Sequence, residues 1–130
     1  MKYYNLCDVF VMPSRYIAAE GDVEGFGIVY MEASSCGKPV IGGNSGGVVE
    51  AVLDGETGLI VDPSSAEAIA QAVIRLREDP GLAERLAENG YRRAKEQFRY
   101  GAIAKGFDSF LGEQSGSEQE QALQSRTRML

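Results

Sequence analysis

Apolar residues along this chain alternate between two spacings. Asp8-Val9-Phe10-Val11-Met12 is a short continuous apolar run closed by Pro13-Ser14. Continuous β-branched runs of this kind are strands of parallel sheets covered on both faces. Lys38-Pro39-Val40-Ile41-Gly42 is a second, with Pro39 at its beginning, where a missing N–H is tolerated. Thr57-Gly58-Leu59-Ile60-Val61 is a third, ended by Asp62-Pro63.

Between and after these runs the spacing becomes helical. A helix is predicted from about Gly27, stopped at Cys36-Gly37, where glycine takes the left-handed C-terminal position. Ser45-Gly46-Gly47 opens a short helix through Val48, Val49, Val52 and Leu53. Ser64 and Glu67 form a capping box ahead of a helix whose apolar face is Ile69, Val73 and Leu76. Asp79-Pro80 caps the next, which carries Leu82, Leu86, Ala94 and Phe98, with Glu88 and Arg92 spaced to pair. Arg92, Arg93 and Lys95 read as a solvated face of that helix, while Tyr3, Tyr4 and Phe10 read as core. Ile103, Phe107, Phe110 and Leu111 mark a last helix.

Strand and helix in alternation make parallel βαβ units. The predicted fold is therefore α/β: a three-stranded parallel half of a doubly wound, Rossmann-like sheet with flanking helices. The organised part is residues 1–111. Residues 112–130 are rich in Gln, Glu and Ser and are expected to be a disordered polar tail. In half a sheet, strand 8–12 is left as an apolar edge carrying Val9, Phe10 and Val11, and such an edge favours self-association.

Composition narrows the chemistry. A chain of 130 residues fits one small domain or part of a larger one, and 44% hydrophobic residues suffice for a core. The net charge of −6 argues against a nucleic-acid partner, whose footprint is basic. The chain has no histidine, which excludes a zinc site built on histidine and a Ser-His-Asp or Cys-His triad within it. Cys7 and Cys36 form no CxxC pair and read as buried, reduced thiols. No apolar run approaches the ~18 residues that span a bilayer, and Asn5 and Asp8 interrupt the N-terminus too early for a signal peptide. A cytoplasmic location is expected, with no transmembrane segment and no metal or other cofactor.

The sixteen glycines gather at loop-to-helix junctions. In Val23-Glu24-Gly25-Phe26-Gly27-Ile28-Val29-Tyr30-Met31-Glu32, a Gly-Phe-Gly turn runs into a helix between two carboxylates. The first N–H groups of a helix lack intrahelical partners and, with the helix dipole, make an anion site. Carboxylates repel phosphate, so Glu24 and Glu32 are better aimed at hydroxyls beside it. A diphosphate on the helix start, a sugar on one side and a ribose on the other suit this arrangement: a nucleotide-sugar.

These blocks resemble those of retaining GT-B glycosyltransferases of family four. Asp8 to Ser14 is similar to the strand before their nucleotide-sugar site, and Glu24-Gly25-Phe26-Gly27-Ile28-Val29 through Glu32-Ala33 to their Glu-x7-Glu motif. Gly37-Lys38-Pro39-Val40-Ile41, Ser45-Gly46-Gly47-Val48-Val49-Glu50 and Asp54-Gly55-Glu56-Thr57-Gly58-Leu59-Ile60-Val61 resemble the blocks that follow. The resemblance runs from about Leu6 to about Leu111 and implies sugar transfer with retention of anomeric configuration. It implies that Glu24, the catalytic candidate, faces the transferred sugar near its anomeric carbon. The N–H groups of Phe26 and Gly27, beyond Gly25 in the turn, would bond the sugar and its phosphate. Those of Ile28 and Val29 would hold the diphosphate, and Glu32 would accept from the ribose diol. Gly46 and Gly47 would let a second helix start approach the nucleotide. In such enzymes an Arg and a Lys that neutralise the diphosphate, and the acceptor domain, lie upstream. Neither is in this sequence, so the chain is expected to be a fragment that binds donor weakly and transfers nothing alone. The acceptor stays open.

Two other classes compete. One is a stand-alone nucleotide-sugar-binding module that works with a partner polypeptide. The other is a glycoside hydrolase with Glu24 and Glu32 as its acid and base, which needs the carboxyls about 5 to 9.5 Å apart across a cleft. A helix start at the Gly turn serves phosphate and not hydrolysis, so the hydrolase is the weakest of the three.

Overall fold

The computed structural model describes residues 2–15 and 26–98. The loop carrying Glu24 and Gly25, the predicted helix around Ile103 to Leu111 and the predicted tail 112–130 lie outside the described residues. Nearly all the described elements fall in one compact unit, Met1–Glu96.

The chain orders α1 (Lys2–Leu6), β1 (Phe10–Met12), α2 (Ile28–Ser35), β2 (Val40–Gly43), α3 (Val48–Ala51), β3 (Leu59–Val61), α4 (Ala66–Glu78) and α5 (Pro80–Gln97). The three strands form one parallel sheet in the order β1-β2-β3. Phe10 stands opposite Val40, Val11 opposite Ile41 and Met12 opposite Gly42. On the other side Ile41 faces Leu59, Gly42 faces Ile60 and Gly43 faces Val61. The central strand is buried at every position, as its unbroken apolar run requires.

Alternation along β2 sends its side chains to two faces. On one, Ile41 and Leu59 pack with Ala72 and Leu76 of α4 and Leu82 and Leu86 of α5. On the other, a Cβ added to Gly42 would lie 2.6 Å from Val48 and 3.3 Å from Tyr30. The first turns of α2 and α3 therefore sit directly on the end of β2. α5 begins on the α4 face and continues to the far ends of α2 and α3. There Gly90 lies beside Ser34, where a Cβ would come 3.1 Å from the Ser34 hydroxyl. Arg93 donates to the carbonyls of Ala51 and Glu50 at 2.6 and 2.7 Å.

Several local expectations need correction. Arg93 is not a solvated charge: its guanidinium caps the C-terminal carbonyls of α3, where the helix dipole favours a cation. Arg92 bonds the Asn89 side chain at 2.8 Å, not Glu88. The cap of α4 is Ser65, whose hydroxyl accepts from the Ala68 N–H at 3.1 Å. Ser64 is held one residue outside by its N–H on the Asp62 carboxylate, so the Ser64–Glu67 box does not form. Ala72 is buried on α4 while Ile69 and Val73 are half-buried, because the small side chain lies nearest the sheet. Asp79 caps α5 as expected, accepting from the Leu82 N–H at 2.9 Å.

At the start of the chain Tyr3 is 87% exposed and is not core. α1 itself carries too few residues to show a periodic pattern. Among the described residues β1 is an edge strand, but only Val11 is exposed along it. Val9 packs partly on the core and Phe10 lies between two tyrosine rings.

Candidate functional site

α2 begins with a residue that only glycine fits well. Gly27 precedes the helix at φ 72° and ψ 57°, the left-handed region, and an added Cβ would fall 2.6 Å from the Tyr30 ring. Among the described residues no side chain caps this helix start. The first turn closes from the Tyr30 N–H to the Gly27 carbonyl at 3.0 Å, which leaves the Ile28 and Val29 N–H groups ahead of the first intrahelical bond. Ile28 is exposed, Val29 half-buried and Gly27 buried. Donors and dipole thus converge on an uncapped end suited to an anion.

That end lies at the carboxyl edge of the sheet. The Tyr30 hydroxyl donates to the carbonyl of Met12, the last residue of β1. A Cβ on Gly43, the last residue of β2, would strike the Ser14 carbonyl and Pro63, so the ends of all three strands meet there. Gly46, exposed at φ 54°, and half-buried Gly47 open α3 at the same edge. Just before them the Ser45 hydroxyl is buried with no hydrogen-bond partner among the described residues. Open α/β sheets bind ligands at this edge.

Glu32 sits four residues beyond Ile28, about 6 Å along the helix axis, and is exposed. The Tyr4 hydroxyl of α1 donates to its Oε2 at 2.7 Å. This bond, then desolvation and the Glu32 charge, holds the Tyr4 phenol above its ordinary 10.0. The Tyr4 ring meets Phe10 edge-on, with centroids 5.5 Å apart at 62°. Phe10 in turn meets Tyr30 at 5.8 Å and 83°. Tyr4 is the residue that sequence reading missed at this site: it stands 28 positions from Glu32, and no local spacing links them.

The described residues thus bring together Gly27, Ile28, Val29, Gly46 and Gly47 at one edge, with Phe26 half-buried just ahead of α2. Glu24 and Gly25 lie outside the described residues. No cluster of His, Cys, Asp and Glu among the described residues could hold a metal ion. No helix among them is long and apolar enough to cross a membrane. A groove between β3 and α4, lined by Ile60, Ala68, Gln71 and Arg75, contains none of the candidate residues.

The family described as glycosyl transferases group 1 matches residues 1–93. The GDP-mannose-dependent alpha-(1-6)-phosphatidylinositol monomannoside mannosyltransferase of Mycolicibacterium smegmatis is 46% identical over 98 residues, which cover 75% of this chain and 26% of that protein. Among solved structures, the sucrose-phosphate synthase of Thermosynechococcus elongatus superposes with a TM-score of 0.72 at 36% identity, covering 88% of this chain and 27% of its own. Anabaena HepE in complex with UDP-glucose gives a TM-score of 0.73 at 27% identity, over 86% of this chain and 29% of its own. The chain therefore spans between 26% and 29% of the length of these proteins.

Proposed function

The chain belongs to the group 1 glycosyl transferases, and we propose that it carries the donor site of a retaining, family-four enzyme that moves a sugar from a nucleotide-sugar. The observation that supports this most is the uncapped start of α2 at the carboxyl edge of the sheet, with Gly27 in the left-handed region. In this reading the Ile28 and Val29 N–H groups hold the diphosphate, and those of Phe26 and Gly27 bond the sugar and its phosphate. Glu32 accepts from the ribose diol in the bidentate way a carboxylate matches Arg. Glu24, preceding Gly25, faces the anomeric carbon, where positive charge develops as the leaving group departs. Gly46 and Gly47 let the start of α3 approach the nucleotide. The nucleotide-sugar is substrate, and no metal enters the reaction. The HepE complex with UDP-glucose supports the donor class.

A helix N-terminus offers about half an elementary charge, too little to balance a departing diphosphate. Electrostatic stabilisation of that charge is usually the largest catalytic contribution. The cations for it, and the acceptor site, belong in this reading to an upstream half-domain and an N-terminal acceptor domain. Residues 1–111 are then part of the donor domain, residues 112–130 a polar tail, and the reaction cytoplasmic. The 130-residue chain binds donor weakly and transfers nothing by itself.

Saturation-transfer NMR against UDP-, GDP- and ADP-sugars tests the reading. Saturation should reach the ribose and diphosphate-proximal protons of one nucleotide series and fall in Glu32→Gln. No saturation from any of the three series would overturn it, and so would glycosyl transfer by the isolated chain.

A further inference from the structure

We propose that Tyr4 is a positioning residue of the donor site: its hydroxyl fixes the Glu32 carboxylate in the orientation that receives the ribose diol. The proposal rests on the reading of Glu32 given above. Glu32 is exposed and has three side-chain torsions, so without a partner its carboxylate would sample many directions. The Tyr4 hydroxyl removes that freedom through one bond of 2.7 Å to Oε2. A carboxylate has about four lone-pair sites. One bond from Tyr4 therefore leaves Oε1 entirely, and one site on Oε2, for two ribose hydroxyls.

Tyr4 can act as a fixed reference because its own position is determined from several sides. Its ring stands edge-on to Phe10, which stands edge-on to Tyr30. Tyr30 is anchored by its hydroxyl on the Met12 carbonyl, and its ring fills the space that Gly27 leaves open. At the backbone, the Tyr4 carbonyl accepts from the Cys7 N–H at 3.4 Å and from the Cys7 thiol at 3.2 Å. Lys38 reaches the Asn5 carbonyl at 3.4 Å and ties the end of α1 to the segment after α2. One aromatic row thus connects the phosphate-binding end of α2, through Tyr30, to the ribose-binding carboxylate, through Tyr4. The two parts of the nucleotide would be held at a constant separation.

The test uses the full chain, with UDP, GDP and ADP and their 2′-deoxy counterparts as probes, and reads the ratio of ribo to deoxy affinity. Tyr4→Phe keeps the ring row and removes only the hydroxyl. Its expected effect is a weakening of about three- to tenfold, the freedom of one side chain regained, for the ribonucleotide alone. The deoxynucleotide, which lacks half of the diol, should change far less. In a Glu32→Gln background, Tyr4→Phe should have no further selective effect. Equal weakening of both probes would mark Tyr4 as merely structural and overturn the proposal. So would an unchanged ratio, or tighter ribonucleotide binding, which would mean that the hydroxyl competes with ribose. If Glu32→Gln fails to alter the ribo-to-deoxy ratio, the role of Glu32 itself falls, and the proposal falls with it. A thermal melt of Tyr4→Phe that matches the parent chain keeps loss of fold out of the comparison.

Discussion

Two residues, Gly27 and Tyr4, decide how the candidate site is built. Gly27 turns the chain into α2 at φ 72°, and no side chain could stand there without meeting the Tyr30 ring. Gly27→Ala should destabilise the fold by about 1–2 kcal/mol, the usual penalty of the left-handed region for a residue with a Cβ. It should also weaken nucleotide-sugar binding, because Tyr30 must shift from Met12. Urea denaturation and NMR titration measure the two effects separately, and an alanine variant of unchanged stability would show that the turn is unstrained. Tyr4 gives a spectroscopic prediction. Its phenol is raised above 10.0, first by the bond to Glu32. A raised value means that the folded chain holds this proton more tightly than the unfolded one. The stabilisation is then complete below pH ~10 and is lost as pH rises through the folded value. Ultraviolet titration of the parent minus Tyr4→Phe should show a phenol ionising later than free tyrosine, moving back in Glu32→Gln. That α2 starts at Gly27 and carries Glu32 was legible in the sequence, because a glycine ahead of a helical segment is a local signal. The partner of Glu32 was not, because the fold alone brings Tyr4 to it.

At the scale of elements, the order from β1 to α5 followed from the apolar pattern, while α1 was too short to show one and cap positions did not always follow. Asp79 was readable because Pro80 fixes the next residue at the first helical position. Ser64 and Ser65 are adjacent and chemically equal, and only the Asp62 turn decides between them. The Ser64 N–H bonds the Asp62 side chain at 2.8 Å and the Ser65 N–H its carbonyl at 3.1 Å, so α4 begins one residue later. Ser65→Ala should therefore cost about 1 kcal/mol, as a lost N-cap does, and Ser64→Ala much less. Equal losses in chemical denaturation would restore the capping box in solution. Arg93 was unreadable for another reason: its partners are carbonyls of α3, more than forty residues away. Within a helix it looks like any solvated charge. In the fold it joins α5 to the end of α3, whose start carries Gly46 and Gly47.

For the molecule as a whole, the decisive feature is the side of β1 that faces away from β2. The sheet order leaves β1 at an edge among the described residues. Its outward N–H and C=O groups are the template on which another strand can add. Asp8 and Pro13 bracket the strand, but no charged side chain stands within Phe10–Met12. Val11 there is 37% exposed, and α1 next in sequence exposes Tyr3 at 87% and Leu6 at 82%. Partial burial of Val9 and Phe10 shortens the apolar edge that the sequence suggested without closing it. The backbone of β1, with these three side chains, is therefore expected to drive association of the 130-residue chain with itself. Size-exclusion chromatography with light scattering should show a mass that rises with concentration. Val11→Lys places a charge on the edge without touching the core cluster, and should return the chain toward the monomer while leaving the candidate site intact. A parent chain that stays monomeric across a wide concentration range, with a sharp cooperative melt, would mean that the edge of β1 is already covered within the chain. Association that persists unchanged in Val11→Lys would instead assign it to another surface.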